Sequence, residues 1–325
     1  MGDHRLEQSS EVELLKSLVI DPKRSCCGQY IERLDSINLH SIYQELSVER
    51  LGQKSLKVLD CHLSSKMDWN QVFLLCFLDA LSDMNNRHNY EEVGQRVLFG
   101  IIQRERRSLR SIEAMLIGAA GLLDCLPNDS FSTEFKTEAK YMLYKYGIRP
   151  LPPNSWNLRN LTPVKHPIVR LSQVARLFYD SEHPFNRLVS CKSRNDVIDL
   201  FNVNASEELC KRVNLKSTTS SHIGVMKCDL LAINFVVPML YSYGIYTESD
   251  DLVIAASDLN ERLPAESNFY ITAWRRLGVV PMSAYDTQAL IQLSKIYCIN
   301  RLCHKCPLYL HMISPNSALN KRGLR

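Results

Sequence analysis

Residues 68–83 read DWNQVFLLCFLDALSD, and this stretch decides the fold class of the chain. Asp68 can accept a hydrogen bond from the backbone at a helix start, and Gln71 stands three positions later, where its side chain can reach back to the cap. Every residue from Val72 to Leu78 is apolar, so a helix here has no continuous polar face. The stretch therefore predicts a helix buried at the centre of the N-terminal half.

Helical periodicity extends to both sides of that stretch, and the alternation typical of β-strands is scarce. Candidate helix caps and helix-ending glycines recur along the chain, at Ser10, Asn89, Asn204, Gly147, Gly244 and Gly278. The sequence predicts an all-α fold. We expect its helices at about 11–19, 28–35, 38–63, 68–83, 89–105, 109–124, 132–146, 167–180, 193–201, 205–213, 221–243, 249–262, 264–277 and 283–299.

A proline-rich connector interrupts the helical pattern. Five prolines fall within 147–167, and proline removes an amide donor and blocks helix. We therefore predict a multi-helix, bundle-like array in two packed halves, with Trp156 fixing the connector to the body. The expected divisions are an N-terminal helical half (1–147), the connector (148–166), a C-terminal helical half with a cysteine cluster (167–313) and a flexible basic tail (314–325).

The composition is that of a globular protein. The chain has 325 residues, of which 45% are hydrophobic and 23% charged, and its net charge of +4 permits an anionic partner without requiring one. No signal peptide is evident, and the longest apolar run, 230–243, falls short of the roughly 20 residues that a membrane span needs. We expect a cytoplasmic protein that does not associate with a membrane and keeps its cysteines reduced.

Three cysteines near the C-terminus, Cys298, Cys303 and Cys306, have the spacing C-x4-C-x2-C. Thiolates at this spacing can share one metal ion, but zinc or an iron–sulfur cluster needs a fourth ligand. No later cysteine exists, and His311 is the best-spaced nearby candidate. The pattern predicts zinc, with an iron–sulfur cluster less favoured. The alternative is three thiols that pack a helix end.

A basic run lies between two predicted helices. Its four arginines could bind the phosphates of a nucleic acid, and the alternative is a solvated helix junction. These candidate nucleic-acid-binding residues are Arg104, Arg106, Arg107 and Arg110.

Polar side chains also stand among apolar ones in the C-terminal half. Such groups must form hydrogen bonds, either in a structural network between helices or as the lining of a ligand pocket. The candidate ligand-binding residues are Arg170, Asn234, Glu266, Asn268, Asp286 and Gln288. The common catalytic motifs are missing: HExxH, GxSxG, a Walker loop and a dinucleotide fingerprint.

Several blocks resemble a bacterial family of unknown function, DUF2851. They include EAMLIGAAGLL at 113–123, LPAESN at 263–268, and DTQALIQL at 286–293 followed by the three cysteines. The resemblance implies that longer relatives carry an upstream segment rich in Asp, Glu and His, similar to a metal-dependent nuclease, and that this chain starts after it. Where relatives favour arginines before Pro163, this chain has Asn160 and Thr162, which weakens an anion-binding role for the connector.

Three hypotheses of function follow. The first is a non-catalytic helical binding or scaffold module that acts with nucleic acid or with a nuclease-like segment or protein. The second is a small-ligand-binding protein or enzyme with a polar pocket in the C-terminal half. The third is a truncated reading frame that retains only structural integrity.

Overall fold

A computed structural model of the protein describes residues 27, 30–31, 34–65, 68–159, 161–213 and 221–314. Within these ranges the chain is all-α, as predicted, and contains no strand, only two isolated β-bridges. The predicted helix at 11–19 and most of the predicted tail lie outside the described residues. The α-helices are α1 (Ser36–Ser65), α2 (Trp69–Leu81), α3 (Arg87–Arg96), α4 (Phe99–Glu105), α5 (Leu109–Ala119), α6 (Ser130–Tyr146), α7 (Pro167–Asp180), α8 (Pro184–Val189), α9 (Arg194–Leu200), α10 (Glu207–Arg212), α11 (Val225–Leu231), α12 (Val237–Tyr246), α13 (Asp250–Arg262), α14 (Phe269–Arg276), α15 (Ala284–Gln292) and α16 (Pro307–Ile313).

The chain divides into two compact units. Unit 1 combines 1–56 with 254–325, and unit 2 is the continuous stretch 57–253. This division differs from the predicted one, in which the connector separates two halves. The reason is that the connector packs within unit 2: Trp156 Nε1 donates to the carbonyl of Ala120 at 2.7 Å, and the Leu151 amide donates to Ala119 at 2.8 Å.

Helix α2 is buried, as its sequence predicts, and it lies in the core of unit 2 rather than at the centre of an N-terminal half. Val72, Phe73, Leu74, Phe77 and Leu78 have no exposed surface. The Phe73 and Phe77 rings contact aromatic rings from three other segments of the unit. Asp68 caps the helix by accepting the amides of residues 70 and 71, so the predicted start of the helix is also confirmed.

The predicted helix 89–105 is divided into α3 and α4, because the Gln71 side chain hydrogen-bonds to the backbone at the break. Its Oε1 accepts the Phe99 amide at 2.6 Å and its Nε2 donates to the Gly94 carbonyl at 3.0 Å. The buried side chain thus satisfies backbone groups on both sides of the break. Gln71 does not reach back to the Asp68 cap as expected, and Asn89 lies inside α3 rather than at a helix start.

Helices α11 and α12 join through a π-helical segment, Ala232–Val236. Pro238 has no amide to donate to the preceding turn, which accounts for the irregular hydrogen bonding there. The resulting helix, Val225–Tyr246, is longer than the apolar run seen in the sequence and is long and apolar enough to cross a membrane. The 18 residues of this helix with the highest mean hydropathy are 67% buried inside the protein.

Candidate functional site

A polar network forms in unit 1 around Glu266 and Gln288. We define it as Arg50, Lys54, Glu266, Asn268 and Gln288. Arg50 and Lys54 stand four residues apart on α1 and therefore share one helix face. Glu266 and Asn268 lie in the segment between α13 and α14, and Gln288 lies on α15.

Local sequence fixes the segment that carries Glu266. Residues 264–268 are not helical, in contrast to the predicted helix 264–277, because Asn268 caps α14 by accepting the Ile271 amide at 3.1 Å. Pro264 forms an isolated bridge with Ser283, which itself caps α15. The segment is thereby held beside the first turns of α15.

The hydrogen bonds of the network converge on two oxygen atoms. Gln288 Oε1 accepts from Arg50 Nε at 2.6 Å and from Lys54 Nζ at 2.5 Å. Glu266 Oε1 accepts from Asn268 Nδ2 at 2.8 Å and from Gln288 Nε2 at 3.2 Å. The Gln288 amide thus connects the two cations to the carboxylate.

Burial sets the electrostatics of this network. It raises the pKa of Glu266, and the nearby charges of Lys54 and Arg50 oppose that rise. It also lowers the pKa of Arg50, against the opposing charge of Glu266. Lys295 adds a third positive charge near Glu266. Three cations therefore surround one carboxylate in a partly desolvated environment.

The other three candidate ligand-binding residues lie elsewhere. Asp286 forms a capping box with Ser283 at the start of α15. Arg170 and Asn234 belong to unit 2, where Arg170 is buried on α7 and donates to Gln173, and Asn234 is exposed in the π-helical segment. Arg50 and Lys54 were not predicted. Their spacing on a predicted helix was visible, but their partners are more than 200 residues away.

The cysteine cluster also lies in unit 1. Burial raises the pKa of Cys298. Negative charge on the nearby Cys306, Cys27 and Cys303 would raise it further. Burial raises the pKa of Cys306, and the backbone amides of residues 308 and 309, which donate to its sulfur, only partly oppose that rise. Cys27 therefore lies near the three predicted cysteines. Its distance along the sequence gave no sign of this contact.

His311, the predicted fourth metal ligand, already has a partner at each ring nitrogen. Tyr30 Oη lies 2.6 Å from Nδ1, and Asn38 Oδ1 lies 3.3 Å from Nε2. Over the residues that the structure describes, no group of three or more His, Cys, Asp or Glu side chains is arranged to hold a metal ion. Zinc binding therefore stays a prediction.

The arginine run lies in unit 2 and is divided between carboxylate-paired and exposed side chains. Arg110 pairs with Glu138 at 2.9 Å, and Arg106 lies 3.4 Å from Glu182. Arg104 and Arg107 are exposed. Two of the four guanidinium groups therefore already face protein carboxylates.

The comparisons with known proteins place the chain in a family. No curated protein and no solved structure is significantly similar to it. The sequence model of the family described as "Protein of unknown function (DUF2851)" matches residues 4–269, which include Arg50, Lys54, Glu266 and Asn268 but neither Gln288 nor the three late cysteines. The chain therefore belongs to the DUF2851 family.

Proposed function

We propose that the protein is a helical binding module that takes a small anionic ligand at the polar network of unit 1. The observation that carries the proposal is the convergence of Arg50 Nε and Lys54 Nζ on the single neutral oxygen of Gln288. Arg50, Lys54 and Lys295 all act on the Glu266 carboxylate in this partly buried environment, and an anionic group bound beside them would be stabilised by the same positive charges.

The chemistry of the network favours a carboxylate or phosphate group as the anion. A guanidinium matches the geometry of either group, and an ammonium adds a compact charge. Asn268 and Gln288 add amides that can orient the rest of a polar ligand. Catalysis is not part of the proposal, because the sequence contains none of the common catalytic motifs.

Calorimetric titration with citrate, inorganic phosphate and adenosine monophosphate tests this proposal. We expect at least one probe to bind, and Arg50→Met to weaken it by about tenfold or more, since a hydrogen bond to a charged group contributes about 1.5–3 kcal/mol. Arg276→Met is the matched control, because Arg276 is exposed on α14 of the same unit. Equal affinities in the two variants, or no binding of any probe, would contradict the proposal.

The nucleic-acid hypothesis receives less support from the structure. Its candidate residues include two arginines that already face carboxylates, whereas the network of unit 1 gathers three of the predicted ligand-binding residues. Association with nucleic acid stays a prediction that rests on the net charge and on exposed Arg104 and Arg107.

A further inference from the structure

Arg170 of unit 2 is a buried cation whose hydrogen-bond partner is neutral. Only 7% of its surface is exposed, and Nη1 donates to Gln173 Oε1 at 2.9 Å. Gln173 is itself held in place, because its Nε2 donates to the Ser221 carbonyl at 2.7 Å. Among the described residues, no carboxylate lies within ion-pair distance of this guanidinium.

Lys227 brings a second cation to the same region. Its Nζ donates to the carbonyl of Ala80, beside the end of α2, at 2.6 Å. Burial, together with the positive charges of Arg170 and Lys165, lowers the pKa of Lys227 to about 8. Lys227, like Arg170, lacks a carboxylate partner in the part of the chain that the structure describes.

The surrounding groups do not supply the missing negative charge. Tyr90, which is 1% exposed, lies within the field of Arg170, and burial raises the pKa of its hydroxyl so that it stays neutral. Asp83 acts on Tyr90, but it forms no ion pair with Arg170, which donates to Gln173, or with Lys227, which donates to Ala80. The region therefore retains an excess of positive charge.

A buried charge is normally paired, because desolvation without a counter-ion is costly. Both Arg170 and Lys227 carry this desolvation cost, and the repulsion between their positive charges adds to it. We infer that Arg170, Lys227 and Lys165 form a binding site in unit 2 for a tetrahedral oxyanion, either inorganic phosphate or the phosphate group of a small monoester. A planar guanidinium and two ammonium groups suit such an anion, since its oxygens can accept from several directions. This site is independent of the network proposed in unit 1.

Titration calorimetry of the whole chain in chloride buffer, with inorganic phosphate and glycerol phosphate as probes, tests the inference. We expect saturable binding that Lys227→Met weakens by about tenfold or more. Lys165→Met, at an exposed position where folding is little affected, is expected to weaken it by a smaller factor. The matched control is Lys140→Met, an exposed position on α6 of the same unit, which should bind like the unsubstituted protein.

The two probes distinguish the source of the anion. Equal affinities identify the phosphate group alone as the ligand, and tighter binding of glycerol phosphate identifies a monoester, so either result supports the site. Thermal unfolding gives a second readout: without phosphate, Lys227→Met should raise the melting temperature, because it removes an uncompensated buried charge. Binding that is unchanged in both Lys227→Met and Lys165→Met, or absent in the unsubstituted protein, would overturn the inference. Arg50→Met should leave phosphate binding at this site intact, which separates it from the network of unit 1.

Discussion

Glu113 shows how a single residue acquires its role from distant partners. Its carboxylate is buried on α5 and accepts from the hydroxyls of Ser172 and Ser206, which are 59 and 93 residues away. Glu113 is the fifth residue of α5 and lies beyond its first turn, so the two hydroxyls, rather than the helix dipole, stabilise the carboxylate there. The two serines could not be predicted, because no local pattern relates them to α5. Gln288 is similar: its polarity among apolar neighbours was visible, and its partners on α1 were not.

Burial raises the pKa of Glu113 above its ordinary value of 4.5, and the two serines only partly oppose this. The folded state therefore binds more protons than the unfolded state once the pH exceeds that value, so stability falls as the pH rises through the folded pKa. Glu113→Gln keeps an acceptor for both hydroxyls and removes the ionisation. We expect its free energy of unfolding in urea to exceed that of the unsubstituted protein by about 1 kcal/mol at pH 8. The difference should vanish near pH 4.

The same urea titrations on Glu91→Gln provide the control, because Glu91 is an exposed carboxylate of the same unit. Its profile should follow that of the unsubstituted protein at every pH. Coincident profiles for Glu113→Gln and the unsubstituted protein would show that Glu113 is not ionised with a raised pKa in the folded state.

At the scale of helices, capping residues and glycines in the sequence predicted most helix starts and several helix ends. These predictions were wrong where a contact with a distant segment decides the helix boundary. Gly147 ends α6 with a left-handed φ of 64°, as expected. Gly244 does not end its helix, since α12 continues to Tyr246. A Cβ on Gly244 would lie 3.0 Å from Val253, so a larger residue there would require Val253 to shift. Helix α5 stops at Ala119 rather than near 124, because the connector packs against its end.

Gly121 and Gly147 offer a matched pair at the ends of α5 and α6. Both have a positive φ, but a Cβ on Gly121 would lie 2.2 Å from the Leu151 carbonyl oxygen, whereas one on Gly147 would meet nothing within 4 Å. Gly147→Ala should therefore cost only the left-handed strain, about 1–2 kcal/mol. Gly121→Ala adds overpacking against backbone and should cost about 3 kcal/mol or more. Urea unfolding measures both, and equal losses would refute the proposed close approach of the connector.

At the scale of the whole molecule, the first and last parts of the chain together form unit 1. Unit 2 is one continuous stretch, whereas unit 1 needs both ends of the chain. The core of unit 1 shows this directly, since Tyr30, Ile42 and Leu46 share a cluster with residues from 271 to 308. A sequence pattern predicts the secondary structure of a segment, but it does not predict which segments pack against each other. The proline-rich connector was therefore the best visible boundary, although it lies within unit 2.

This arrangement predicts that the fragment 57–253 folds on its own. The aromatic contacts around Phe73, Phe77 and Phe235 are all internal to it, as are the hydrogen bonds of Trp156 and Gln71. We expect a helical circular dichroism spectrum and a cooperative urea transition for this fragment. The fragment 254–325 alone should show no cooperative transition, because its apolar residues pack against the N-terminal segment in the intact chain. If 57–253 unfolds gradually while the intact chain unfolds cooperatively, then its core depends on unit 1, and the division into two compact units does not describe two folding units.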